Sequence, residues 1–208
     1  MELVVAVFDV DHTLTVRDCV VPFMRKVAGV AGLGRAILVR PFETVRLVVA
    51  KDRDGLKQKF VKEVFSGKSV AATEEAGISF AEMVAQSWMR SDVAARLRWH
   101  QEEGHIVLLV SASLTPYLEP LGDLLEVDGV LCTELETAGD TYTGAIRGNN
   151  CRGAEKVNRI TQWCADSGVP SSAVQFAYGD SSGDTDMIEL AENGMWVNKA
   201  ELELLVAS

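Results

Sequence analysis

Short apolar runs that stop at polar clusters are the clearest pattern along this chain. Residues 3–8, 105–110 and 174–178 are each five or six residues long and almost wholly apolar. Such runs predict strands that are buried on both faces, as in a parallel sheet. Weaker strand patterns cover residues 129–135, 137–146 (a hairpin with Gly139-Asp140 at its turn) and 195–197. The pattern therefore favours a mostly parallel sheet at the centre of the fold.

The apolar spacing becomes helical between the first two runs. From residue 16 to residue 89, apolar side chains recur every three or four positions, as on one face of a helix. The helices that this spacing predicts are residues 20–27, 33–49 with a break near Pro41, 56–65 and 78–88. Such a long helical segment exceeds an ordinary crossover between strands. We therefore expect residues 16–89 to form a helical cap domain, inserted into a core made of residues 1–15 and 90–208.

Helices also alternate with the later strands. One is expected to begin at Ser91 or Asp92 and to end at Gly104, and others to cover residues 115–126, 153–167 and 184–193. Alternating strands and helices predict an α/β fold with a doubly wound parallel sheet. Ligands of such sheets bind beyond the carboxyl ends of the strands.

The segment 27–50 is unusually apolar for a part of the cap. Arg35, Arg40 and Arg46 interrupt it. We favour the interior of the cap as its environment. The alternative is contact with a membrane or a partner, with the arginine side chains reaching toward the polar boundary.

Composition limits the class of protein. The 208 residues, of which 48 % are apolar, suffice for one α/β domain with an insertion or for two small domains. The net charge of −10 argues against nucleic acid as a partner, because phosphate backbones require basic surfaces. It does not argue against a phosphorylated substrate, since a few local cations dominate the field of one pocket.

The chain shows no targeting signal of the usual kinds. It opens directly into a strand without a signal peptide, and it has no run of about 20 uncharged apolar residues that would span a membrane. We expect a cytoplasmic protein with no transmembrane segment. The four cysteines are scattered, so reduced thiols that fill small spaces in the core are expected.

Polar side chains that suit phosphate chemistry follow the predicted strands. Asp9 and Asp11 follow the first strand, Ser111 the second, and Asp180 and Asp184 a later one. Lys156 lies in the first turn of a predicted helix. Adjacent carboxylates repel one another unless a divalent cation binds between them. The alternative for Asp9 and Asp11 by themselves is that they are ordinary turn residues.

These residues carry a resemblance to a known family. Four motifs occur in order: Asp9-Val10-Asp11-His12-Thr13-Leu14, Ser111 after an apolar strand, Lys156, and Gly179-Asp180-Ser181-Ser182-Gly183-Asp184. The chain resembles the haloacid dehalogenase-like superfamily of phosphatases. Its insertion after the first motif resembles the C1-capped, phosphoserine phosphatase-like subfamily. Closer similarity, to a branch that contains phosphatidylglycerophosphate phosphatases of the C type, lies in Arg17-Asp18, Leu109-Val110-Ser111-Ala112-Ser113-Leu114 and Asn150-Cys151-Arg152-Gly153 before Glu155-Lys156.

The resemblance implies roles for the motif residues. Asp9 is the nucleophile that forms an aspartyl-phosphate, and Asp11 is the general acid and base. Mg²⁺ is held by Asp9, Asp180 and the backbone carbonyl of Asp11, with Asp184 in or next to the coordination shell. Phosphate is held by Ser111, Ala112 and Lys156. One departure is His12, where the family usually has Gly or Ser; we expect it to alter local packing or to add a polar group near the metal.

Other residues are assigned less directly. Asp18 lies where phosphoserine phosphatases carry a substrate-recognising Glu, and its alternative role is to cap a helix. Arg152 precedes the helix of Lys156, and either contacts the substrate or lies on a surface loop. His100 and His105 flank Gly104 and are expected at the surface.

The leading function is a Mg²⁺-dependent phosphomonoesterase. A phosphotransferase or phosphomutase uses the same intermediate and excludes water, and a third possibility is a phosphate-binding protein without catalysis. The sequence leaves the substrate open among amino-acid, amino-alcohol, sugar and lipid head-group phosphates, because specificity lies in the cap. Peripheral contact of the cap with a membrane also remains open.

Overall fold

A six-stranded sheet forms the centre of the computed structural model, which describes residues 3–39 and 41–197. The strands are β1 Val5–Phe8, β2 Ile106–Leu114, β3 Gly129–Ala138, β4 Thr141–Arg147, β5 Val174–Gly179 and β6 Asn193–Trp196. Their order across the sheet is β4-β3-β2-β1-β5-β6. Every neighbouring pair is parallel except β3 and β4, which form the predicted hairpin. The predicted α/β fold with a mostly parallel sheet is confirmed.

Strand β1 is buried on both of its faces. Ala6 and Phe8 belong to one apolar cluster, and Val5 and Val7 to the other. All four side chains are fully buried. Successive side chains of a strand point to opposite faces, so a sheet covered on both sides requires the unbroken apolar run from which the strand was predicted.

Along the chain, four helices follow β1, and four more precede or follow the later strands. They are α1 Val20–Leu38, α2 Pro41–Val49, α3 Arg53–Phe65, α4 Val70–Ser87, α5 Ser91–Glu102, α6 Thr115–Leu124, α7 Ala154–Ser167 and α8 Thr185–Leu190. Helix α4 packs against α6, and α3 packs against β4. The helical insertion, by which we mean α1 to α4, therefore rests on the β2–β4 side of the sheet.

The apolar spacing over α1 predicted two helices, one over residues 20–27 and one from residue 33 to the break near Pro41. The structure has two helical stretches that meet at a kink at Gly29, whose φ of 71° and ψ of 172° are not helical, and the second stretch begins before residue 33. Glycine adopts this backbone conformation at little steric cost because it has no side chain. Strand β2 is longer than predicted: it continues beyond Ser111 to Leu114, across an irregular pairing with β3 after Val110.

Two expectations about burial are wrong. The segment 27–50 is not cap interior throughout, since Val30, Leu38 and Phe42 are exposed; Arg40 lies outside the described residues. His100 is fully buried instead of lying at the surface. Its ring is 3.0 Å from the Tyr178 hydroxyl and 2.8 Å from the ring of His105, which is half-buried. Burial lowers the pKa of His100 to about 3, so this ring is a neutral part of the aromatic core.

The expectation for the cysteines holds. The four cysteines are buried with free thiols, as predicted. Among the described residues, no helix combines the length and the apolar character needed to cross a membrane.

Candidate active site

The two aspartates that follow β1, Asp9 and Asp11, point in different directions. The Asp9 N–H donates to the carbonyl of Tyr178 on β5 at 2.9 Å, which extends the sheet by one bond. A turn follows over Val10–Leu14 and is closed by the Thr15 N–H, which donates to the carbonyl of Val10 at 2.9 Å. Inside this turn the backbone at Asp11 is extended, so Asp9 and Asp11 leave the strand end separately.

His12 occupies the position of the turn that favours a small residue. Its φ is 63°, in the left-handed region that glycine adopts most easily. The imidazole is exposed and acts to lower the pKa of Asp180, against the burial and the Asp184 charge that raise it. His12 therefore acts electrostatically on one of the carboxylates that could hold a metal.

Lys156 links two carboxylates at the base of the site. Its Nζ lies 2.7 Å from Asp9 Oδ1 and 2.6 Å from Asp184 Oδ1, and all three side chains are buried. The other carboxylate oxygen of Asp184 accepts bonds from the Ser181 N–H and hydroxyl at 2.9 and 3.0 Å. Asp184 precedes α8 as expected, but its carboxylate serves this network and no cap bond is seen from it to the helix.

Three aspartates of the motifs form a cluster that fits a divalent cation. Carboxylate oxygens of Asp9, Asp180 and Asp184 all lie within 4.8 Å of one another. When ionised they carry −3, and the Lys156 ammonium reduces the local charge to −2. A hard cation with two positive charges, such as Mg²⁺, prefers oxygen ligands and would balance this charge. The donor set therefore fits the ion that the family resemblance implies.

The electrostatics of the cluster show the cost of leaving it without a cation. Burial raises the pKa of Asp9 to about 7, with further increases from Asp184 and Asp11 that Lys156 only partly offsets. Burial also acts to lower the pKa of Lys156, but Asp9 and Asp184 outweigh it and leave that pKa raised. The ammonium therefore stays charged, whereas the carboxylate of Asp9 lacks sufficient positive charge around it.

Asp11 points to a different set of partners. One of its carboxylate oxygens accepts the Cys19 N–H and the other accepts the Ser113 hydroxyl, each at 2.8 Å. The Tyr117 hydroxyl in turn donates to the Ser113 oxygen at 2.6 Å. Burial raises the pKa of the Asp11 carboxyl, and the charge of Asp18 raises it further. Asp11 thus has a fixed orientation and an increased tendency to hold a proton.

Ser111 and Ala112 lie on the strand next to Asp9. Leu109 of β2 is paired with Phe8 of β1, so Ser111 is two residues beyond the end of that pairing. The Ser111 side chain is buried, and its oxygen accepts the Ser113 N–H at 3.1 Å. The tandem of Ser111 and Ala112 therefore borders the same edge of the sheet as the carboxylates.

Sequence reasoning missed Lys57, which reaches from the helical insertion to this edge. Its ammonium donates to Asn150 Oδ1 at 2.6 Å, to Thr133 Oγ1 at 3.1 Å and to the carbonyl of Ala112. The Asn150 amide also donates to Asp54 Oδ1 at 2.5 Å. Burial lowers the pKa of Lys57 to about 8. Nothing in the spacing of α3 distinguished this lysine from its neighbours. Among its partners, only Asn150 belongs to a motif of the sequence, Asn150-Cys151-Arg152-Gly153.

A cavity of about 350 Å³ lies between the insertion and the edge of the sheet. It is lined by Asp11, Asp18, Val20, Val21, Met24, Leu33, Arg53, Leu56, Lys57, Phe60, Ala112, Asn150 and Arg152. Its walls from α1 and α3 are mainly apolar, and its polar end contains Asp11. Both tentative substrate residues are among its lining. Asp18 also accepts the Val21 N–H at 3.0 Å, and Arg152 donates to the Ser182 hydroxyl at 3.3 Å, so each has a structural contact as well.

Comparison with known proteins gives consistent matches. The model of a family described as haloacid dehalogenase-like hydrolase matches residues 6–189. Protein CicA of Caulobacter vibrioides is 32 % identical over 192 residues, which cover 92 % of this chain and 84 % of CicA. A phosphoserine phosphatase of Polaromonas sp. is 28 % identical over 87 % of this chain and 73 % of its own length. A protein of unknown function from Bordetella pertussis Tohama I has the same fold, with a TM-score of 0.73, 21 % identity and coverage of 91 % and 87 % of the two chains.

Proposed function

The chain belongs to the haloacid dehalogenase-like hydrolase family and is a hydrolase of phosphoric monoesters, and we propose that it acts through a phosphoryl group carried on Asp9, with Mg²⁺ as cofactor. The observation that carries this proposal is the meeting of Asp9, Asp180, Asp184 and Lys156 at one edge of the sheet. Carboxylates that hold a divalent cation, beside an ammonium that neutralises phosphate oxygens, suit phosphoryl transfer.

In the first half-reaction Asp9 is the nucleophile and Asp11 is the general acid. A carboxylate oxygen of Asp9 attacks phosphorus, and the bond from phosphorus to the leaving oxygen breaks. Asp11 gives its proton to that oxygen, so the product leaves as a neutral alcohol. The raised pKa of Asp11 and its two fixed hydrogen bonds support this role.

Water completes the cycle in the second half-reaction. Asp11, now a carboxylate, takes a proton from water, whose oxygen bonds to phosphorus while the bond from phosphorus to Asp9 breaks. Inorganic phosphate leaves, and Asp9 is free again. Through both halves Lys156, Ser111 and the backbone of Ala112 hold the phosphate oxygens.

Asp9, Asp180 and the backbone carbonyl of Asp11 are the proposed ligands of Mg²⁺, with Asp184 as a further ligand or a support for the others. When bound, the ion neutralises the phosphate oxygens and orients them for in-line attack. The substrate is a small phosphomonoester whose leaving group enters the cavity under the insertion, which we propose acts as a cap over a core of residues 1–15 and 90–208.

The proposed function is tested by following both products of an aryl phosphate in the presence of Mg²⁺. Hydrolysis releases alcohol and inorganic phosphate in equal amounts, and adding glycerol as an acceptor leaves this ratio nearly unchanged. Release of alcohol with the phosphate passed mainly to glycerol would assign a phosphotransferase. Release of neither product would assign a phosphate-binding protein.

Asp11→Asn is expected to slow hydrolysis according to the leaving group. An alkyl phosphate needs a proton on its leaving oxygen, so the kcat/KM for that substrate should fall by about 10²–10⁴-fold. An activated aryl phosphate needs little protonation, so its burst of alcohol should change much less. Rapid-quench measurement of both substrates decides the point. Equal losses for the two leaving groups would remove the general-acid role from Asp11.

Asp18 is tested by separating its charge from its contact with α1. Asp18→Asn keeps an oxygen for the Val21 N–H but removes the charge, whereas Asp18→Ala removes both. If Asp18 faces the leaving group, both variants should lose the preference for a cationic over a neutral substrate. Only the Ala variant should also lose about 1 kcal/mol of stability. Measured kcat/KM ratios and melting temperatures decide between the roles, and an unchanged ratio in both variants would leave Asp18 as a helix cap alone.

Lys57 is expected to make activity depend on pH. Below about pH 8 its ammonium has three donors for three acceptors, and above it the neutral amine has two, so the link from α3 to Ala112 weakens. We therefore expect kcat/KM to fall above about pH 8. Because the folded-state pKa lies below the ordinary 10.5, this deprotonation favours the folded state between about pH 8 and 10.5, so the decline is not unfolding through this group.

Variants of α3 isolate that effect. Lys57→Met should lower kcat/KM by at least about tenfold, which corresponds to the loss of one hydrogen bond to a charged group, and should abolish the decline above pH 8. Lys62→Met, which changes an exposed lysine of the same helix, should leave the profile as it is. A profile that is the same in the wild type and Lys57→Met would show that Lys57 has no part in the pH dependence.

A further inference from the structure

Helix α2 turns its apolar side toward solvent. Thr44 and Leu47 are half-buried, whereas Phe42, Val45 and Val49 are 89 %, 60 % and 77 % exposed. The spacing of these three residues, i, i+3 and i+7, places them on one side of the helix. A helix on a globular core normally buries that side. The reversed orientation indicates that the side is covered by something outside this chain's own core.

Two further exposed apolar residues, Val30 and Leu38, lie on α1, which precedes α2 in the chain. What we call the outer apolar face consists of Val30, Leu38, Phe42, Val45, Val48 and Val49, all more than half exposed. The other large apolar side chains that are exposed in the described part of the chain are scattered singly over it, at Leu3, Val16, Val21, Ile78, Leu124 and Trp196. Grouped exposure of this kind marks a site of interaction, whereas scattered exposure is ordinary.

The segment that carries this face has the opposite charge to the rest of the protein. Residues 20–51 contain six cationic residues, Arg25, Lys26, Arg35, Arg40, Arg46 and Lys51, and a single acid, Glu43. This gives the segment a net charge of +5 in a chain whose total is −10. The cationic residues that the structure describes in this segment are all exposed. The net negative charge of the whole protein would repel an anionic surface. The protein can therefore bind an anionic surface only when the cationic segment 20–51 faces that surface.

We propose that the outer apolar face docks on the surface of an anionic lipid bilayer. The apolar side chains enter the boundary between head groups and acyl chains, and the arginines and lysines reach the lipid phosphates. With nine residues, α2 is too short to span a bilayer and lies along its surface. The docking is independent of the reaction proposed above. None of the residues of the outer apolar face is among those that line the cavity.

Charge also argues against the simplest alternative, a symmetric dimer of this chain. A two-fold axis through the outer apolar face would bring the two cationic segments against each other. Such like charges disfavour association unless acidic groups lie between them. Glu43 is the single acid that the segment offers.

The proposal is tested by sedimentation with vesicles. Vesicles of phosphatidylcholine and phosphatidylserine in equal parts should bind the wild-type protein, and vesicles of phosphatidylcholine alone should bind it at least about tenfold more weakly, since each basic residue near an anionic surface contributes about fivefold. Binding should weaken as salt is added. The double variant Phe42→Asp, Val49→Asp should reduce binding at least about tenfold, because it places charge where apolar contact is needed.

Further variants separate the outer apolar face from a general effect of added negative charge. Ile78→Asp makes the same change at an exposed apolar residue of α4 and should bind vesicles as the wild type does. Arg35→Glu with Arg46→Glu leaves the apolar residues intact and should also lose binding. Hydrolysis of a soluble aryl phosphate should be unchanged in all these variants. Binding that persists in the Phe42, Val49 variant, absence of binding in the wild type, or a dimer in light scattering that this variant dissociates would each overturn the proposal.

Discussion

Asp9→Asn is expected to abolish turnover while leaving the protein folded. The amide is the same size as the carboxylate but is a far weaker nucleophile, so no phosphoryl group is transferred to it. The loss in kcat should be at least about 10⁴-fold, as is found when the nucleophile of an enzyme with a covalent intermediate is removed. Lys156 keeps its partner Asp184 at 2.6 Å, so the variant does not leave a buried ammonium unpaired.

The measurement for Asp9→Asn has two parts. Steady-state hydrolysis of an aryl phosphate gives the loss in kcat, and acid quenching with labelled substrate shows whether an acyl-phosphate accumulates. The wild type should give a labelled intermediate, and the variant should not. Asp186→Asn, at an exposed carboxylate of α8, is the matched control and should behave as the wild type. Intact mass identifies any return to Asp by deamidation. Turnover near the wild-type value in verified Asp9→Asn would show that another group is the nucleophile.

Removal of divalent cations is expected to have a comparable effect. The cluster of Asp9, Asp180 and Asp184 with Lys156 has a net charge of −2 when ionised, and without a cation burial raises the pKa of Asp9 to about 7. A protonated Asp9 is a poor nucleophile, and phosphate oxygens approach an uncompensated negative site. Excess EDTA should therefore lower kcat by at least about 10³-fold, and added Mg²⁺ should restore it.

Binding of Mg²⁺ should be visible without any assay of activity. The ion binds the folded state alone, so it should raise the melting temperature by mass action. Asp180→Asn should weaken that effect strongly, whereas Asp166→Asn, at an exposed residue of α7, should not. The cluster contains oxygen ligands and no His or Cys, which argues for Mg²⁺ over Zn²⁺. Full turnover in excess EDTA, with no shift in melting temperature on adding Mg²⁺, would contradict the assignment.

The elements around the site were predictable because each depends on a short stretch of sequence. A strand buried on both faces must be apolar at almost every position, so β1 appears as an unbroken run, and β5 as a run that only the half-buried Gln175 interrupts. Parallel strands end at the same edge of a sheet, so the residues that follow them meet there. For this reason Asp9, Asp180 and Asp184 could be grouped from the sequence before their positions were known.

Contacts between the insertion and the sheet were not predictable in the same way. Lys57 is 93 residues from Asn150 and 76 from Thr133, and the motif that contains Asn150 does not indicate which residue of the insertion contacts it. Which side of a helix faces the core was also misjudged. The apolar spacing of α2 predicted a buried side, but this apolar side faces outward. The prediction failed because periodicity shows that a helix has an apolar side but does not show what covers that side.

Sequence alone determined the class of fold, the strand ends that carry carboxylates, and the family, because these follow from local apolar patterns and from motifs read in order. Tertiary structure decided the rest. It placed Lys156 in contact with Asp9 and Asp184. It directed the Asp11 carboxylate away from that cluster to the Ser113 hydroxyl, and it brought Lys57 of the insertion to the carbonyl of Ala112. Hydrogen bonds and ion pairs act over about 3 Å, so a role that depends on them is fixed only when the folded chain brings distant residues within that distance.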